Sequence, residues 1–181
     1  MKYVPNIISV FRICLVPVFI IAYFTEPGEL KLAAVAVYVV AAFSDFLDGF
    51  IARRFQATSS LGKVLDPLGD KLMTISVMAC ITIDGLIPIW AIIVAVTKEL
   101  LMAVGGLVLH KVAGVEILPS NIIGKTSTVV FFVVFITLIL FRDIPRGVAI
   151  GMISFAIGLT FVALISYFSR YHKVMKNRHI S

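Results

Sequence analysis

The sequence predicts an all-α, polytopic membrane protein with six transmembrane helices and a short N-terminal amphipathic segment. Three observations lead there. The 181-residue chain is 60% hydrophobic and 14% charged, where an ordinary soluble domain is roughly a quarter charged. Apolar runs of about 20 residues, enough to cross a hydrocarbon core at 1.5 Å rise per residue, recur along its length. The breaks between them are short clusters of turn-forming residues, and no polar stretch is long enough for a separate soluble domain. Residues 1–181 are therefore expected to form one integral-membrane domain.

The elements follow in order. The opening MKYVPNIISVFR lacks the charged start, short apolar stretch and small-residue cleavage site of a secretory signal, and reads as an amphipathic lead-in. Spans are expected at 5–24, 30–53, 62–83, 86–109, 122–141 and 146–168. The breaks are Glu26-Pro27-Gly28-Glu29, Gln56-Ala57-Thr58-Ser59-Ser60, Asp84-Gly85, Leu118-Pro119-Ser120-Asn121 and Asp143-Ile144-Pro145. Neither an internal repeat nor a low-complexity tract is visible. Cys14 and Cys80 lie in apolar stretches without CxxC or Cys/His spacing and are read as buried small hydrophobes. His110, His172 and His179 sit at segment ends and do not cluster, as expected of solvated or headgroup-level residues.

The Lys/Arg bias gives an orientation. Lys2, Arg12, Arg53, Arg54, Lys63, Lys111, Lys125, Arg170, Lys173, Lys176 and Arg178 gather on one side. The other side has Lys31, Arg142 and Arg146 together with Glu26, Glu29, Asp84 and Asp143. The basic side is expected to be cytoplasmic, with both termini. The formal net charge of +6 is then mostly a feature of the cytoplasmic leaflet, and the basic C-terminal tail suits anionic headgroups. Nucleic-acid binding is excluded as a function class, because it needs a basic soluble surface.

One segment breaks the apolar pattern. Residues 45–70 read DFLDGFIARRFQATSSLGKVLDPLGD and carry Asp45, Asp48, Asp66 and Asp70. Carboxylates inside membrane-spanning segments are costly to keep ionised and mark function by default. On a helix, Asp45, Asp48 and Ala52 share one face, and Gly62, Asp66 and Asp70 share another. Two such helices facing one another would gather four carboxylates, a negative charge that only a strong cation offsets. Oxygen-only donors favour Mg2+ or Mn2+ over zinc. Gly49 and Gly62 leave room for close approach of a nucleotide or a neighbouring helix, and Ala52 keeps its face small.

Reduced to a pattern, the segment is D-x2-D-G-x2-A-R-x8-G-x3-D-x3-D. It resembles, at every defined position, the signature of the CDP-alcohol phosphatidyltransferases. These are integral membrane enzymes that move a phosphatidyl group from a CDP-linked lipid to an alcohol and release CMP. The resemblance implies a magnesium- or manganese-dependent transferase of phospholipid biosynthesis, whose partners besides membrane lipids are CDP-diacylglycerol and a small or lipid alcohol. It implies a two-ion site with Asp45, Asp48 and Asp66 as ligands. Asp70 is then a further ligand and the general base for the acceptor hydroxyl. Gly49, Ala52, Arg53 and Gly62 would line the CDP-lipid, with the Arg53 fork suited to phosphate oxygens. The family often forms homodimers, and Gly105, Gly106, Gly147 and Gly151 would suit such a contact or helix packing within one subunit.

The acceptor is read from cations beyond the signature. Lys71 follows Asp70, Lys98 lies in Thr97-Lys98-Glu99, and Lys125 lies in Gly124-Lys125-Thr126. Lys98 either pairs with Glu99 or an aspartate, or joins Lys125 in a pocket for an anionic acceptor such as glycerol 3-phosphate. Pro5-Asn6-Ile7-Ile8-Ser9-Val10-Phe11-Arg12 and Leu65-Asp66-Pro67-Leu68-Gly69-Asp70-Lys71 resemble segments common to the family's phosphatidylglycerophosphate synthases and cardiolipin synthases. In those branches the fourth span often carries Arg-Glu where this chain has Lys98-Glu99. Their later G-K-x-K-T stands here as Gly124-Lys125-Thr126-Ser127-Thr128, without the second lysine. The leading expectation is transfer to glycerol 3-phosphate, giving phosphatidylglycerophosphate. Its rival is cardiolipin synthesis with phosphatidylglycerol as acceptor. A small cation transporter is a remote third, because it leaves the glycines, Ala52 and Arg53 unexplained.

Overall fold

Apolar residues at a spacing of three and four give each helix one buried stripe, and the stripes show how the helices meet. A computed structural model describes residues 4–26, 30–55, 62–113 and 122–178, with side chains at 7–26, 30–47, 68–101, 122–166 and 169. The described residues form α1 (Val4–Thr25), α2 (Leu32–Phe55), α3 (Gly62–Ile83), α4 (Ile89–Ala113), α5 (Ile122–Leu140) and α6 (Arg146–Arg178), with no strand among them. By length and apolarity, Ile7–Thr25, Ile122–Leu140 and Arg146–Ser166 qualify as candidate membrane spans, and Leu32–Leu47 is a shorter apolar stretch.

Three boundaries depart from expectation by three residues or more; one is the end of α4, which runs to Ala113 instead of 109. The fourth helix begins at Ile89 instead of residue 86. Gly85, at φ 77°, closes α3 in a left-handed cap: its amide donates to the Thr82 carbonyl (2.9 Å) and the Leu86 amide donates to Ile81 (3.2 Å). That pair of bonds satisfies two terminal carbonyls and stops the helix. Pro88 then opens α4, accepting from the Ala91 amide at 3.0 Å. The sixth helix runs to Arg178, ten residues past the expected end at 168. No proline or glycine lies between Phe168 and Arg178 to interrupt it.

The chain falls into two compact units, Met1–Leu86 with Ile136–Ile144, and Ile87–Phe135 with Pro145–Ser181. In the first, α1 packs on α2 and α3, and α2 on α3. The α1 stripe is Ser9, Arg12, Phe19 and Tyr23; α2 contributes Ala34, Tyr38 and Ala41; α3 contributes Met73, Val77, Cys80 and Ile81. Phe19 sits between Tyr23 and Tyr38, with ring centroids at 5.9 and 6.4 Å. In the second unit α4 packs against α6, and Ala149, Ile153, Ala156 and Ile157 form the buried stripe of α6. Cys80 is buried as expected, but Cys14 lies on the exposed side of α1, off the Arg12–Phe19 stripe; both thiols are free. Among the described residues, nothing outside their own helix backbone and chain neighbours lies within 4 Å of the place a Cβ would take at Gly147 or Gly151.

At one end of the first unit, three elements meet on a single carboxylate. The Tyr23 hydroxyl donates to Asp84 Oδ2 at 2.5 Å, and Arg142 Nη2 lies 2.6 Å from the same oxygen. Asp84 follows α3, Tyr23 ends the α1 stripe and Arg142 follows α5, so the contact ties three helix ends together. Tyr23→Phe removes a hydrogen bond to a charged acceptor and should lower stability by about 1–2 kcal/mol. The thermal unfolding midpoint in detergent checks this, and an unchanged midpoint would show that the contact carries no stability.

Candidate active site

The α1 stripe is polar at both ends and apolar between. Its second polar end, Ser9 and Arg12, lies near the acidic signature. In the sequence Arg12 stands among the charges that set orientation and closes the Pro5–Arg12 segment. It is buried, 1% exposed, and its Nη1 lies 2.9 Å from Oδ1 of Asp45 on α2. A guanidinium inside a helix bundle needs a counter-charge, and Asp45 supplies it. The Asp45 side chain keeps half of its surface exposed, so the carboxylate is held from the interior while remaining accessible.

Gly69 brings the third helix in. A Cβ there would stand 3.4 Å from Ile13 Cγ1, 3.5 Å from Arg12 Cδ and 3.6 Å from the Ser9 carbonyl oxygen. The backbone of α3 thus lies against the stem of Arg12, one residue before Asp70. Asp70 is part-exposed and pairs loosely with Lys71 at 3.5 Å. Asp45 and Asp70 therefore belong to one α1–α2–α3 junction.

Other expected site residues have different standing. Asp48, Gly49, Ala52 and Arg53 continue α2, and Gly62 and Asp66 open α3; their side-chain surroundings lie outside the described residues. Among the described residues no three acidic, histidine or cysteine side chains converge as a metal site, and two of the four signature aspartates fall outside that set. Lys98 is buried and ion-paired with its neighbour Glu99. Lys125 is exposed near the start of α5. Both lysines belong to the second unit.

The described donors fit a hard divalent cation. They are carboxylates, half-exposed and on facing helices, and no soft ligand accompanies them. What sequence reasoning missed about Arg12 is its partner, Asp45. The available signal was its place on the α1 stripe: a charge spaced with Ser9, Phe19 and Tyr23 at helical intervals had to find an opposite charge within the bundle.

Comparison with known proteins bears on the family. The model of the CDP-alcohol phosphatidyltransferase family matches residues 2–165. A Bacillus subtilis protein named CDP-diacylglycerol–glycerol-3-phosphate 3-phosphatidyltransferase is 32% identical over 136 residues, 68% of this chain and 69% of that protein. A Sodalis glossinidius protein of the same name is 28% identical over 170 residues, 91% of this chain and 92% of that protein. A Mycobacterium tuberculosis protein named "Putative cardiolipin synthase" is 36% identical over 137 residues, 76% of this chain. The chain spans 64% of that mycobacterial relative's length. With a family match over nearly its whole length and the aspartate signature intact, the chain belongs to the CDP-alcohol phosphatidyltransferase family.

Proposed function

We propose that this protein transfers a phosphatidyl group from CDP-diacylglycerol to glycerol 3-phosphate, giving phosphatidylglycerophosphate and CMP. The observation that carries the reading is Asp45, half-exposed and paired with a buried arginine whose stem lies against α3 at Gly69, in a complete family signature. The Bacillus and Sodalis relatives supply the acceptor. The protein acts as a single integral-membrane domain of six spanning helices, with its termini and acidic site on the cytoplasmic side; the family match runs across both compact units.

The chemistry is an in-line displacement. The acceptor hydroxyl oxygen attacks the phosphatidyl phosphorus, the bond from that phosphorus to the bridging oxygen breaks, and CMP leaves with the electron pair. Asp70 takes the hydroxyl proton as general base. Asp45, Asp48 and Asp66, with Asp70, would hold two divalent ions, Mg2+ or Mn2+. When bound, these neutralise the charge developing on the leaving phosphate. Gly49, Ala52 and Gly62 leave the site open to the CDP-lipid, and the Arg53 guanidinium pairs with its phosphates. Lys98 and Lys125 attract the phosphate of the acceptor. A homodimer is compatible with the exposed Gly147 and Gly151 on α6.

A second reading, cardiolipin synthesis from phosphatidylglycerol, is favoured by two observations. One is the mycobacterial match. The other is the Lys98–Glu99 ion pair, which gives Lys98 a counter-charge of its own and weakens the case for an acceptor phosphate there. CMP release by detergent-purified protein separates the two. With CDP-diacylglycerol and Mg2+, release should require glycerol 3-phosphate. Release with phosphatidylglycerol alone would replace the first reading by the second.

A further inference from the structure

Arg12 lies outside the aspartate signature, on a helix that contributes no residue to it, yet it touches the signature's first carboxylate. We propose that Arg12 is the positioning residue for Asp45, fixing the carboxylate in the orientation that binds divalent metal. The inference rests on the metal-dependent transferase reading above.

Three features carry it. First, the guanidinium is 1% exposed while its partner carboxylate is half-exposed, with 2.9 Å between Nη1 and Oδ1. The contact thus reaches Asp45 from the protein side and leaves the carboxylate accessible from outside. Second, Arg12 is itself held. Its stem lies against the α3 backbone at Gly69, where a Cβ would stand 3.5 Å from Cδ, and Ser9, one turn earlier on the same stripe, is fully buried. A side chain packed along its length has little rotamer freedom to pass on to Asp45. Third, arginine keeps its charge in the bundle interior, where a lysine would shed its proton more readily.

Two effects oppose each other when metal binds. The guanidinium charge repels a divalent cation, but the carboxylate between them carries the opposite charge and keeps half of its surface in solvent, which moderates the repulsion. The ordering of Asp45 is not moderated in this way. Without Arg12, a half-exposed aspartate side chain spreads over its rotamers, and one ligand of the cluster must be ordered anew for each ion bound. Partners that orient metal ligands are typically worth 10- to 100-fold in metal affinity. Ordering therefore outweighs repulsion, and loss of Arg12 weakens binding.

The test is a titration of purified protein with Mn2+ alone, following loss of the free-ion electron paramagnetic resonance signal. Arg12→Met should weaken Mn2+ binding about 10- to 100-fold. Arg12→Lys should fall between it and the wild type, since an ammonium supplies the charge without the planar fork. In an Asp45→Asn background, adding Arg12→Met should change binding less than about twofold, because the two residues act as one. A merely structural ion pair would lower the metal-free unfolding midpoint and leave Mn2+ affinity unchanged. Unchanged or tighter binding in folded Arg12→Met overturns the proposal, as does an additive double variant. If Arg12→Met does not fold, wild-type affinity in Arg12→Lys overturns it. Wild-type protein that binds Mn2+ without releasing CMP would sink the proposed reaction and leave this inference standing. Wild-type protein that takes up no Mn2+ would sink the metal reading and this inference with it.

Discussion

Replacing Asp66 with asparagine should abolish CMP release while the protein still inserts and folds. The substitution keeps the size of the side chain, removes its charge and replaces one acceptor oxygen by an NH2 donor. Asp66 lies in the second turn of α3, four residues before Asp70 and on the same face. If Asp66 is shared between two ions, its loss weakens both sites. Metal stabilisation of a developing phosphate charge is worth several kcal/mol, and each 1.4 kcal/mol is a factor of ten in rate. A fall of about a thousandfold or more in kcat is therefore expected. Helix content by circular dichroism and the metal-free unfolding midpoint should stay near the wild-type values. Near-normal activity in this variant would contradict the two-ion assignment.

Asp70→Asn should separate binding from turnover. A positioned general base contributes about 10²- to 10⁴-fold, so kcat should fall by that order while CDP-lipid binding falls much less. The structure makes the variant interpretable. The contact from Asp70 to Lys71 is 3.5 Å long between two side chains that are each nearly half exposed, and such pairs contribute little to stability. A large loss of activity would thus report on chemistry and not on folding. The measurement is a comparison of kcat with the dissociation constant for CDP-diacylglycerol in the presence of Mg2+. Equal losses in both would reassign Asp70 from base to ligand.

The helices were legible in the sequence because helix formation is local. Apolar runs of span length, interrupted by proline, glycine and aspartate, placed all six to within a few residues at most ends. Besides the end of α4, at Ala113, the exceptions were the start of α4 and the end of α6. The first depended on a glycine cap whose geometry no apolar count records. In the second, the helix continues after the apolar run stops, because backbone hydrogen bonding persists where hydrophobicity does not. The acidic signature was legible for a different reason: its meaning lies in residue types at set intervals along two helices.

The partners of charged residues were much less legible. Arg12 and Lys98 are both cations in apolar helices, yet one reaches across to another helix and the other pairs with its sequence neighbour. Arg142 read as an orientation charge, and its sharing of Asp84 with Tyr23 was not legible. A helix's sequence says which residues share a face, since that follows from 3.6 residues per turn. It does not say how far one helix is rotated and shifted against the next. Arg12 to Asp45 spans α1 and α2, and Tyr23 to Asp84 spans α1 and α3. The sequence by itself determined the helices, the family and the identity of the carboxylates, because each is written in local periodicity and spacing. Only the tertiary structure decided that a buried arginine holds the first of those carboxylates, because that contact exists only once three stripes have packed together.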